Sequence, residues 1–259
     1  MSNALLALCA LGYWASAISF HYNLFHRKQR DWTQWLRILL SSHAVHSLAL
    51  LTLTLQLKHL PVLSMPEVMA VLGWALIALY AVLGRRWKVD ALGGIAAPAA
   101  AVLTTFATFT LGHETPHSYR GIWFGLHVSS LVASYAAFCL AAFCSLLYFI
   151  QSRRLKEKKL HTAFLLPSLN TLDRVGFRFI LVGFPLLVVG MVCGTQMPGW
   201  HWTWDPKETL VALTGAVYLL YLHARVVAGW QGRRMNMILL MAFLCVLVSL
   251  LAPGRSHGY

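Results

Sequence analysis

Eight stretches of this chain are apolar over lengths that suit membrane-crossing helices: 4–20, 36–57, 67–83, 91–112, 122–150, 175–194, 208–229 and 236–252. A bilayer core about 30 Å thick needs roughly 20 such residues per helix. The composition agrees, because 58% of the residues are hydrophobic and only 11% are charged. That is too apolar for a disordered chain and leaves too few charges to cover a soluble α/β domain. The expected fold is therefore all-α: a polytopic integral membrane protein with about eight transmembrane helices. The first span lacks a basic flank and is expected to be a retained helix rather than a cleaved signal peptide. The five cysteines fall inside apolar runs, none in a CxxC pair, and are expected as small buried side chains.

Eight spans put both termini on one side, and the charges of the connections alternate accordingly. One set of connections and span ends holds Arg27, Lys28, Arg30, Arg37, Arg85, Arg86, Lys88, the cluster from Arg153 to Arg178, Arg225, Arg233 and Arg234. The opposite set holds only Lys58, Arg120, Lys207 and Arg255. The acids divide evenly, so the whole net charge of +13 falls on one face. Lys and Arg mark the cytoplasmic side, which predicts outer, periplasmic termini. The same one-sidedness reads the charge as a topology signal with some contact to anionic lipid, and no nucleic-acid partner is expected.

The outer loop before span seven reads GTQMPGWHWTWDPKETL. Its right half is a helix start: Asp205 suits the N-cap, Pro206 the first helical position, and Glu208 completes a capping box. Capping does not explain Trp200, Trp202 and Trp204. At spacing two they fall on one side of an extended segment. Interface anchoring is one reading of such residues. The other is a dense apolar shelf rimmed by N–H donors, which suits a large planar ligand with charged edges, such as a porphyrin. The N-terminus of span seven and Lys207 would suit the propionates.

Histidines inside spans are costly and are functional candidates, and a six-coordinate haem iron wants two of them. His127 lies about 8 Å into span five from its outer end at 1.5 Å per residue. His257 follows span eight on the same side, and His113, His117 and His201 compete there. On the inner side His223 lies about 9 Å from the end of span seven, and His43 about 10 Å into span two. His46 is one turn deeper on the same face. A second bis-histidine site and simple packing are both open readings of these three.

WxWDPKET resembles the tryptophan-rich signature of the cytochrome c assembly proteins, the haem-handling CcsA/CcmC/CcmF group. Residues 166–195 (LPSLNTLDRVGFRFILVGFPLLVVGMVCGT), 221–234 (YLHARVVAGWQGRR), 256–259 (SHGY) and 127–138 (HVSSLVASYAAF) are similar to flanking segments of CcsA-type proteins, in the same order. The likeness covers about 125–259. The tryptophans are more closely spaced than in the usual CcsA signature.

The resemblance implies a multi-pass protein of the bacterial cytoplasmic membrane that binds non-covalent, b-type haem. Residues 1–121 would hold spans one to four and residues 122–259 the haem-handling core. His127 and His257 match the family's outer ligands, which hold haem against the tryptophans, and His223 matches a further transmembrane histidine. Its partner, His43 or His46, follows from depth alone. The expected function is to handle haem and present it outside for cytochrome c maturation, with a CcsB-like subunit and an apocytochrome c as partners. The chain would be an enzyme only as part of a synthase complex. The alternative is a HemX-like regulator or scaffold of haem synthesis.

Overall fold

The computed structural model describes residues 2–26, 33–112, 121–158, 166–199 and 201–251. Among them there is no strand, and eight helices are long and apolar enough to cross a membrane. The protein is an all-α, multi-pass membrane protein. Its chain divides into two compact units, Met1–Ser118 and Tyr119–Tyr259.

The first unit contains α1 (Ser2–His26), α2 (Gln34–Leu57), α3 (Met65–Leu79) and α4 (Asp90–Thr110). Helix α1 packs on α2 and α4, and α3 packs on α4. Lipid tails are as apolar as leucine, so helices gain little by hiding leucine from them; close packing of small residues supplies the attraction instead. Accordingly α4 buries Ala96, Ala97, Ala100 and Ala101, while Leu11 and Leu55 stay exposed. Helix α3 ends in a π-helical turn, Tyr80–Gly84, where the Tyr80 ring lies over Gly84 and Gly93.

The second unit contains α5 (Ile122–Lys156), α6 (Leu169–Thr195), α7 (Pro206–Val226) and α8 (Arg233–Leu251). Helix α5, at 35 residues, is about 52 Å long and outreaches a 30 Å hydrocarbon core. Helices α5 and α6 pack along most of their lengths. Three glycines seven residues apart make this possible. Gly176 faces Ala141 and Cys144, Gly183 faces Ala137 and Phe138, and Gly190 faces His127 and Leu131. A methyl at Gly183 would come within 2.7 Å of the Phe138 ring, so only glycine admits this approach.

Helix α6 begins at Leu169, six residues before the span expected from hydropathy. Ser168 caps it by accepting a bond from the backbone N–H of Thr171. Asp173, expected in the preceding connection, therefore lies inside the helix. Its charge is met there by a partner from α7, which hydropathy could not register.

Candidate functional site

His127 occupies the second turn of α5, against the end of α6. Its Nδ1 lies 2.8 Å from the carbonyl oxygen of Gly190. A carbonyl only accepts, so Nδ1 carries the proton and the lone pair falls on Nε2. That is the tautomer a metal-binding histidine needs, with its other nitrogen anchored to a backbone oxygen. Gly194 supplies the space: a methyl there would come within 2.8 Å of Nδ1 and 3.1 Å of Cε1. Sequence reasoning named His127 as a candidate but did not name Gly190 and Gly194, which seat its ring. The spacing of seven through Gly176, Gly183 and Gly190 was the available signal.

Helix α6 ends at Thr195, and the tryptophan segment follows. Asp205 is the N-cap of α7, buried, with Oδ1 accepting from the N–H of Lys207 at 2.8 Å. Glu208 departs from the expected capping box. Its Oε2 accepts from the N–H and Oγ1 of Thr203, at 3.0 and 2.9 Å, instead of from the N-cap residue. The cause is Trp204, whose φ of 57° is left-handed. That conformation turns Thr203 toward the carboxylate and interrupts the extended alternation.

The indoles therefore differ from a flat shelf. Trp202 and Trp204 meet edge to face, with centroids 5.5 Å apart and planes at 88°. Trp204 is 76% exposed and Trp202 37%. Together they form an angled aromatic corner. A bulky residue held left-handed costs about 1–3 kcal/mol and points to function where it persists. Lys207 lies in the first turn of α7 and is half-buried. His201 is exposed and donates from Nδ1 to the Gly199 carbonyl at 3.0 Å. Trp200, His113, His117 and His257 lie outside the described residues.

The opposite end of this unit holds a group that sequence reasoning did not find. Arg225 Nη2 donates to Asp173 Oδ2 at 2.6 Å, with only 8% and 6% of the two side chains exposed. Asp173 Oδ1 accepts from Asn236 Nδ2 at 2.7 Å and from the Gly232 N–H at 3.2 Å. Ser145 Oγ donates to Asn236 Oδ1 at 2.8 Å, and Arg225 also donates to the Trp230 carbonyl. The carboxylate thus bonds α6 to α7 and α8, and Asn236 extends the network to α5. His223 lies two residues before Arg225 and is exposed.

In the first unit, His43 and His46 share a face of α2, as their spacing implied, and both reach Tyr13 of α1. Among the described residues no group of three or more His, Cys, Asp or Glu side chains is placed to hold a metal ion. An iron that brings four ligands of its own in a macrocycle needs only one or two from the protein, and the donor set of His127 fits that demand.

These features define a class: a multi-pass helical membrane protein with an anchored histidine and an angled aromatic turn. The sequence comparisons specify it further. Residues 62–253 match the family described as Cytochrome C assembly protein, and the chain belongs to that family. The match reaches well before the 125–259 region of visible likeness and takes in α3 and α4. The chain is 30% identical to the cytochrome c biogenesis protein CcsA of Chlorella vulgaris over 264 residues, 82% of this chain and 84% of the relative. It is 28% identical to that of Synechococcus elongatus over 263 residues, 79% and 81% respectively. It is 31% identical to that of Chlamydomonas reinhardtii over 221 residues, 78% of this chain. The chain spans 62% of the length of that last relative.

Proposed function

We propose that this protein serves cytochrome c maturation by binding non-covalent haem in the membrane and offering it at the outer surface. The observations that carry the reading are the seat of His127, with a fixed Nδ1–H and the lone pair on Nε2, and the turn after α6 that exposes Trp202 and Trp204. Haem supplies the iron that this nitrogen binds; the chain supplies the ligands, the orientation and the aromatic surface. Trp200, Trp202 and Trp204 would line the porphyrin, His127 and His257 would ligate its iron, and Asp205, by fixing the start of α7, would let Lys207 and the helix N-terminus hold the propionates. His223, His43 and His46 are the candidate ligands for haem that enters from the inner side. The names of the CcsA relatives support the maturation role. An apocytochrome c accepts the haem, and a CcsB-like subunit assists. The setting is the bacterial cytoplasmic membrane, with both termini outside and the basic connections within.

The test is to replace His127 and His257 by Gly, one at a time, and to record the reduced-minus-oxidised spectrum of the purified protein before and after adding imidazole. Loss of six-coordinate haem that imidazole restores is expected for each. An unchanged spectrum in both variants, insensitive to imidazole, removes the outer ligands from this reading. Reporter fusions after Trp87 and after Lys159 are expected to read cytoplasmic; an external reading at either reverses the topology.

A further inference from the structure

A groove of about 410 Å³ runs between α1 and α2 in the first unit. The two helices touch at Gly12 and Ser42, where a methyl on Gly12 would collide with the serine hydroxyl. Small residues let helices approach closely in a membrane, and here the close contact leaves a furrow beside it. Leu11, Ala15, Ile38, Ser41 and Val45 also line it.

The chemistry of the lining limits the occupant. Ser41 and Ser42 both donate their hydroxyls to the Ile38 carbonyl, at 3.0 and 2.7 Å. Their protons are therefore spent within α2. No lining residue carries a charge, and none is of a kind that ligates haem iron. Whatever lies along the groove is apolar.

The two ends of the groove differ. Helices α1 and α2 run antiparallel, since Tyr13 meets His46 while Ser16 bonds the Trp35 carbonyl. The end at Ala15 and Ile38 therefore points toward the α1–α2 connection. The lining rows continue past this end. Ile18 and Tyr22 follow Ala15 at spacings of three and four, and both are exposed. Arg37 precedes Ser41 by one turn and is also exposed. It is the only Lys, Arg, Asp or Glu in either helix. Among the described residues no acidic side chain pairs with it.

Dimensions decide between a lipid chain and a protein helix. Ile38 to Val45 covers about 10 Å of helix, within the roughly 15 Å that one leaflet's share of the hydrocarbon core provides. Ten ångströms of a helix 10–12 Å across fills roughly 800–1,100 Å³, about twice the groove. A helix would rest only on its rim, whereas an acyl chain fits within it.

We infer that this groove binds an anionic glycerophospholipid, with one acyl chain lying past Gly12 and Ser42 and the phosphate held by Arg37. In the orientation proposed above, the lipid belongs to the cytoplasmic leaflet; the binding itself does not depend on that orientation.

The experiment uses the full chain, stripped of lipid in detergent. It is titrated with phosphatidylglycerol or with phosphatidylcholine of the same acyl chains, and native mass spectrometry counts the lipids bound. One tight site that prefers phosphatidylglycerol is expected. Arg37→Gln should weaken phosphatidylglycerol there by about 5-fold, the worth of one basic residue near an anionic surface, and leave phosphatidylcholine unchanged. Arg153→Gln, which removes an exposed cation elsewhere, should alter neither. Ala15→Leu and Ser41→Leu start from exposed positions on the groove. Each should fill it and remove the tight site for both lipids without lowering the melting temperature. The assignment is overturned if Arg37→Gln weakens phosphatidylglycerol no more than Arg153→Gln does, or if both filled variants keep the tight site. It also falls if the filled variants keep their lipid and lose a dimer instead, an outcome that makes a second copy of the chain the occupant.

Discussion

The two ends of the second unit solve opposite problems with the same four helices. At the Asp173 end, one buried carboxylate meets Arg225, Asn236 and Gly232, and Asn236 in turn meets Ser145. At the His127 end, a single imidazole bonds to a backbone carbonyl, and the adjoining turn leaves indoles exposed. The first end is closed by side chains that satisfy one another. The second exposes the surface that the proposed function uses. The carboxylate end fixes the helices, and the glycine end gives up packing contacts to hold one ring in register.

Substitutions can break or sharpen this contrast. The largest effect is expected for Asp173→Ala, which leaves the Arg225 guanidinium buried without its counter-charge. Breaking a buried pair costs about 3–5 kcal/mol. Thermal unfolding in detergent should show it, while haem per folded molecule stays near the parent value. A small shift in melting would mean that the network is not what ties the helices together.

Gly194→Ala comes next. Its methyl would crowd the His127 ring at 2.8 Å, and overpacking of this kind costs about 1–3 kcal/mol. The expected signature is functional: the same haem loss, restored by imidazole, as in His127→Gly. If Gly194→Ala unfolds the protein with no such spectral change in the folded fraction, the glycine serves packing alone.

Trp204→Gly should hardly move stability. Relief of the left-handed backbone, about 1–2 kcal/mol, is opposed by loss of the edge-to-face contact with Trp202, about 0.5–1.5 kcal/mol, and by the greater freedom that glycine brings to the unfolded chain. Haem retention should nevertheless fall, measured as the Soret absorbance after purification. Full retention would assign Trp204 to the membrane interface only.

The smallest effect belongs to Arg153→Ala. Arg153 bonds Glu157 at 2.8 Å, yet its side chain is 82% exposed, and solvent screens such a pair. Neither melting nor haem content should change measurably. A marked loss would reveal a partner for this face.

The chain's own pattern of apolar runs determined the eight crossing helices, because a bilayer offers the backbone no other hydrogen-bond partner. The helix start at Asp205 and Pro206 was equally legible, since capping is a contact between near neighbours in sequence. The shared face of His43 and His46 followed from helical spacing. The turn of Trp204 into the left-handed region was not legible, because nothing local forces a tryptophan there. Nor was the inclusion of Asp173 in α6, whose charge is met by Arg225, 52 residues away. The contacts of Tyr13 and Trp74 with the α2 histidines were hidden for the same reason: neither belongs to a motif, and each meets a different helix. Only the tertiary structure decided which nitrogen of His127 holds the proton. Periodicity records which face of a helix is apolar, but a tautomer is set by the particular atom opposite, and here that atom is the carbonyl oxygen of Gly190, brought within 2.8 Å by a neighbouring helix that has no side chain in the way.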